Sequence, residues 1–193
     1  MEKQSFEKEK GASDLLAYYL HRPVENWITR RLIRTSVTPN QITLTVNLLA
    51  YLVAALYFFG YLLQGSILSF LVGLLDGVDG KIARAKNQTS KLGKMEHAFD
   101  LLFEFTWLIT LALYLQRSSG NSLPVILASF SILFISFYRY CYDTFSRTMG
   151  TSLDTYGEFE RTFRRIAGRR NLYNIHIFIG VLLGFPLYSL ISI

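Results

Sequence analysis

Five carboxylates stand close together in a chain otherwise poor in charge. Asp76 and Asp79 are three residues apart, and Glu96, Asp100 and Glu104 follow at intervals of four. On a helix each group shares one face. Both groups sit at the ends of apolar stretches, where a lipid-buried carboxylate costs roughly 2.5–3.5 kcal/mol near the bilayer centre and less toward the interface. A short polar stretch separates them, so the two stretches are antiparallel neighbours and their acidic ends meet. Facing carboxylates in a poorly hydrated cleft repel, and a divalent cation relieves that repulsion. An all-oxygen donor set favours Mg²⁺, Mn²⁺ or Ca²⁺. Gly77 and Gly80 leave backbone open to a bulky ligand, and Arg84, one turn after Gly80, is placed to bind phosphate. Metals, carboxylates, glycines and an arginine together point to phosphoryl transfer. The competing reading makes these residues helix-end ion pairs with Lys81, Arg84, Lys91 and Lys94. It accounts for charge near an interface, but not for two acidic faces with small residues between them.

The run Asp76-x-x-Asp79-Gly80-x-x-Ala83-Arg84, followed after eight residues by Gly93, resembles the signature of the CDP-alcohol phosphotransferase family. Its first half matches at every fixed position. The Thr38-Pro39-Asn40 entry to the first apolar stretch and the run of such stretches are also similar, over roughly Arg30 to Pro186. The second half departs: where the family has two further aspartates, this chain has His97 and Leu101. A loop shorter by one residue makes Glu96 the third acid and Asp100 the fourth. The other register makes Asp100 the third and Glu104 the fourth. Both keep the four-residue spacing, and both substitute a glutamate.

The resemblance implies an activity and roles. A substituted phosphate passes from a CDP-alcohol to an acceptor hydroxyl with release of CMP, and the first guess for the donor is CDP-diacylglycerol or a related CDP-lipid. Two divalent cations, Mg²⁺ or Mn²⁺, are implied on Asp76, Asp79, Glu96 and Asp100. Asp100 is also the implied base, with Glu104 as the alternative. Gly80 and Ala83 would lie against the cytidine and Arg84 would bind the diphosphate. A homodimer is implied as well. Two other readings stay open, a divalent-cation carrier or sensor using the same carboxylates and a degenerate relative that binds nucleotide without turnover.

The elements that must position these residues are read from charge distribution. Apolar residues make up 51% of the 193 and charged ones 18%, which excludes a disordered chain. No charged residue occurs over 35–75, 118–138 or 171–193. Such stretches are long enough to cross a bilayer. The expectation is an all-α, polytopic transmembrane bundle with five spans at about 41–63, 66–84, 93–116, 123–145 and 171–193, where the family usually has six. Gln64-Gly65 is the expected turn between the first two. Residues 1–36 form an N-terminal tail and an amphipathic interfacial helix broken at Pro23, and 37–193 the transmembrane catalytic domain.

Of the 20 Lys and Arg residues, 19 fall on one side of this arrangement and only Arg117 on the other. The positive-inside rule then puts the N-terminus and the acidic site on the cytoplasmic side. The same clustering beside the spans explains the net charge of +6 without a nucleic-acid partner. The opening MEKQSFEKEK has no apolar core and does not read as a secretory signal. The one cysteine, Cys141, reads as a packed thiol and excludes an internal disulfide. Arg139 reads either as a partner of Asp143 or as a contact for a phosphorylated acceptor. Arg169 and Arg170 read as membrane-surface anchors or as further acceptor contacts.

Overall fold

The structure is a computed structural model that describes residues 21–88, 91–166 and 169–193, with residues 91–97 and 164–166 described by backbone alone. The expected N-terminal tail and the first part of the interfacial segment lie outside the described residues. Among the described residues every regular element is helical: α1 (Arg22–Leu32), α2 (Pro39–Phe59), α3 (Leu62–Ala85), α4 (Lys91–Ser119), α5 (Leu123–Met149), α6 (Glu158–Ile166), α7 (Arg170–Leu182) and α8 (Pro186–Ser192). A 3₁₀ turn, Leu153–Thr155, precedes α6. Pro23 stands in the first turn of α1, where a missing N–H costs nothing.

Thr38 starts α2 with a capping box. Its Oγ1 accepts from the Gln41 N–H at 3.3 Å, and its own N–H donates to Gln41 Oε1 at 2.9 Å. Pro39 follows in the first turn, and Gly60 closes the helix in the left-handed region at φ +88°. The first turn therefore falls at Gly60-Tyr61, not at Gln64-Gly65. Gly65 lies inside α3, and its missing side chain serves packing: a Cβ there would stand 2.7 Å from the Tyr57 ring.

Helix α2 packs on both α3 and α4, α4 on α5, and α3 on α1 and α7. The core at their junction includes Val46, Ala50, Val53 and Tyr57 of α2, Val72 and Val78 of α3, and Phe103, Trp107 and Leu111 of α4. The Trp107 indole donates to the Ala50 carbonyl at 2.7 Å, which fixes the depth of α4 against α2. An indole N–H needs such a partner when fully buried.

Four helices are long and apolar enough to cross a membrane among the described residues: α2, α3, the Ala98–Ser119 part of α4, and α5. The fifth expected span is two short helices. Gly184 at φ +77° and Pro186 break the segment, and α8 folds back so that Gly180 lies against Ser189 and the Phe185 carbonyl. Helix α7 has 13 residues, about 20 Å of helix, short of a hydrocarbon core of about 30 Å. Cys141 is exposed on α5, not packed.

Candidate active site

The site lies where the C-terminal part of α3, the N-terminal part of α4, the middle of α5 and the start of α7 come together. Helix α3 supplies Asp76 and Asp79 from adjacent turns. Asp79 is 3% exposed, and its Oδ2 accepts from Thr43 Oγ1 of α2 at 2.6 Å. Its Oδ1 lies 2.5 Å from the Gly80 N–H. Thr43 is one turn inside the Thr38 cap, so the capping box also sets where this hydroxyl reaches α3.

Helix α4 supplies Asp100 and Glu104, both buried, with Phe103 between them. Glu104 is the most enclosed, at 2% exposed. Arg139 Nη2 donates to both its oxygens, at 2.9 and 2.6 Å, and the Tyr173 hydroxyl donates to Oε2 at 2.5 Å. Asp143, one of the two partners expected for Arg139 and one turn along α5, does not take that role here; Glu104 does. The Glu104 site thus joins α4, α5 and α7.

Arg170 opens α7 and enters between the acidic faces. Its Nη2 is 2.5 Å from Asp76 Oδ2, and its Nη1 is 3.8 Å from Asp100 Oδ1 and 3.6 Å from Glu104 Oε1. The guanidinium lies over the Phe103 ring, 5.0 Å from its centroid. The structure therefore gathers Asp76, Asp100, Glu104, Arg139 and Arg170 into one chain of charges, with Asp79 beside it on α3. Arg84 folds back toward Gly80, since a Cβ on Gly80 would stand 3.4 Å from Arg84 Nη1. Ala83 is half-buried next to it, and Arg169 caps α7 just before Arg170. The side chain of Glu96 lies outside the described residues.

Gly77 is not an opening for a ligand. The Glu25 carboxylate of α1 covers it, and a Cβ there would fall 2.5–2.6 Å from Glu25 atoms. Glu25 also pairs with Lys81 of α3 at 2.9 Å, and Lys81 donates to Asn26 as well. Gly77 and Lys81, variable positions of the α3 motif, thus seat α1, while Val78 and Ile82 lie in the core.

Among the described residues no three Asp, Glu, His or Cys side chains converge tightly enough to hold one metal ion. Arg170 stands between Asp76 and Asp100, in the place a cation would take. The donor chemistry nevertheless fits a hard divalent ion: Asp76, Asp79 and Asp100 offer carboxylate oxygens from α3 and α4. Among the described residues these two helices do not pack closely on each other, contrary to the expected antiparallel neighbours; each packs on α2, with Arg170 of α7 between their acids. Thr43 and Tyr173 escaped the sequence reading. Tyr173 stands three residues after Arg170, and Thr43 is a polar residue in an uncharged span, but neither spacing names a carboxylate partner.

A polytopic helical membrane protein with an acidic cluster at one end of its bundle is the class these features define. Residues 36–155 match the sequence model of the CDP-alcohol phosphatidyltransferase family, and the chain belongs to that family. It is 32% identical over 145 residues to a bifunctional IPC transferase and DIPP synthase of Aquifex aeolicus, a match covering 71% of this chain and 33% of the relative. The protein of the same description from Archaeoglobus fulgidus is 29% identical over 164 residues, 84% of this chain and 31% of the relative. That from Thermococcus kodakarensis is 39% identical over 85 residues, 44% of this chain and 19% of the relative. The chain's matches thus span a third or less of the length of these curated relatives.

Proposed function

We propose that this protein transfers a substituted phosphate from a CDP-alcohol to an acceptor hydroxyl and releases CMP. The observation that supports this most is the meeting of the Asp76-to-Arg84 face of α3 with Asp100 of α4, within a chain of this family. In the reading, Asp100 takes the proton of the acceptor hydroxyl. The hydroxyl oxygen bonds to the β-phosphorus as the phosphorus–oxygen bond to CMP breaks, and the bridging oxygen leaves with CMP. Arg84 holds the diphosphate, and Gly80 and Ala83 give the cytidine a flat approach. Asp76, Asp79, Glu96 and Asp100 would hold Mg²⁺ or Mn²⁺, which when bound neutralises phosphate oxygens and the leaving group. Thr43 of α2 fixes one oxygen of Asp79.

The donor in this reading is a CDP-linked lipid such as CDP-diacylglycerol, because the acidic cluster lies at one end of the apolar spans. The product then belongs to phospholipid or related phosphodiester synthesis. The site and the N-terminus face the cytoplasm, supported by the 19 basic residues on that side. The division into a surface segment, 1–36, and a catalytic bundle, 37–193, and a homodimeric assembly, complete the proposal.

The test is CMP release by purified protein in detergent, with Mg²⁺ or Mn²⁺, pooled CDP-alcohols and pooled acceptors. Release by the wild type that is lost in Asp100→Asn supports the reading, and deconvoluting the pools then names donor and acceptor. Release that survives in Asp100→Asn moves the base to Glu104. A folded protein that binds metal but releases no CMP across the panel overturns the enzyme in favour of a carrier or a non-catalytic relative.

A further inference from the structure

We propose that Arg170 is a built-in counter-cation that competes with divalent metal for Asp76 and Asp100, and that Glu104 is the positioning residue that draws it away. This rests on the metal-binding part of the function proposed above. The guanidinium is about one-tenth exposed and lies between the two acidic helices, 2.5 Å from Asp76 Oδ2 and 3.8 Å from Asp100 Oδ1. A carboxylate oxygen that accepts a short bond from a guanidinium cannot at the same time present that lone pair to a metal. Arginine keeps its proton in proteins, so this charge cannot be removed by deprotonation. A cation shared by Asp76 and Asp100 would therefore stand against a fixed positive charge, and a shift of the side chain away from Asp76 relieves that repulsion.

Glu104 offers the place to move to. It stands one turn beyond Asp100 on the same face of α4, with Oε1 3.6 Å from Arg170 Nη1. That separation is too long for a hydrogen bond, and a small rotation would close it. Glu104 itself is fixed, because Arg139 holds both oxygens and Tyr173 holds Oε2. Tyr173 lies on α7 with Arg170, so its bond pins the backbone of α7 while the guanidinium swings from Asp76 toward Glu104. The face of Phe103, 5.0 Å beneath, gives the cation a surface to move over. In this role Glu104 touches neither donor nor acceptor and is no base. It sets how readily Arg170 yields its two carboxylates.

A mere structural brace and a competing cation differ in the sign of one measurement. Mn²⁺ binding is titrated into the purified full chain in detergent, without substrate, by the spectroscopic signal of free Mn²⁺. Arg170→Gln is expected to bind Mn²⁺ about tenfold more tightly than wild type, which corresponds to about 1.4 kcal/mol. Glu104→Gln is expected to bind it several-fold more weakly, because Arg170 then stays on Asp76 and Asp100. Arg170→Lys keeps the charge and should remain near wild type. Unchanged or weaker binding in Arg170→Gln overturns the proposal. If that variant does not stay monodisperse, Glu104→Gln decides alone, and unchanged or tighter binding there overturns it. Wild type that binds Mn²⁺ indifferently to Arg170 sinks this inference only. Absence of Mn²⁺ binding in wild type and all variants overturns the metal reading and this inference with it.

Discussion

The two ends of the α2–α3–α4 bundle handle charge in opposite ways. At the motif-bearing end, Asp76, Asp100, Glu104, Arg139 and Arg170 form a continuous chain across four helices. At the other end stands Arg117, spread over the Phe58 ring at 4.1 Å with its Nη2 donating to the Phe58 carbonyl. One cation at an interface needs only an aromatic face and a carbonyl to settle it. Five buried or half-buried charges stay in place because each is held by another. The difference teaches that the motif end is costly to build and is not explained by anchoring, which one arginine accomplishes at the opposite end.

Breaking the motif end should have the largest effect. Asp79→Asn should lower CMP release by about 10³-fold or more, on the scale of losing a charge-stabilising group from an active site. Chelation with EDTA should do the same and readdition of Mg²⁺ should restore activity, while Arg117→Ala keeps its rate. Arg139→Ala should cost about 3–5 kcal/mol of stability, because it leaves Glu104 buried without its two-oxygen partner. Denaturation in mixed micelles reads this, and Arg139→Ala with Glu104→Ala together should recover part of the loss.

A smaller effect tests the seat of α1. Gly77→Ala places a methyl against the Glu25 carboxylate and should cost about 1–3 kcal/mol. Hydrogen exchange over Arg22–Leu32 should speed up, with α2 and α4 unchanged. The smallest change belongs to Arg117→Ala, at about 1 kcal/mol or less for an exposed cation–ring contact. A loss as large as that of Arg139→Ala would erase the contrast between the two ends.

The helical bundle was legible because charge is excluded from lipid, and the uncharged stretches mark α2, most of α3 and α5. The acidic ends of α3 and α4 were legible because charge there is expensive. Turn positions were less so. Gly60 and Gly65 are both breakers by type and both lie against a tyrosine ring, Tyr114 and Tyr57 respectively, and only the left-handed φ of +88° at Gly60 shows which one turns. The expected fifth span failed at Gly184 and Pro186, whose break is invisible to an average of hydropathy. Partnerships across helices were least legible. Arg139 has Asp143 one turn away in sequence, yet it reaches Glu104, 35 residues distant. Local spacing favours near partners, and tertiary packing chooses among all of them. Gly77 shows the same limit: a missing side chain marks a close approach, but not whether a ligand or Glu25 makes it.

Helix α4 has a consequence in its length. Its 29 residues extend about 43 Å, against a hydrocarbon core of about 30 Å. Its charges gather toward its first half, with Asp100 and Glu104 preceding an uncharged run from Phe105 to Gln116, so on the proposed reading Asp100 stands near the seam where oil gives way to water. A nucleotide and a lipid have no common solvent, and that seam is the one depth both can reach. Under the proposed reaction with a CDP-linked lipid, the two products would part by solubility alone, one drifting into water and the other remaining in the leaflet, with no gate required to sort them.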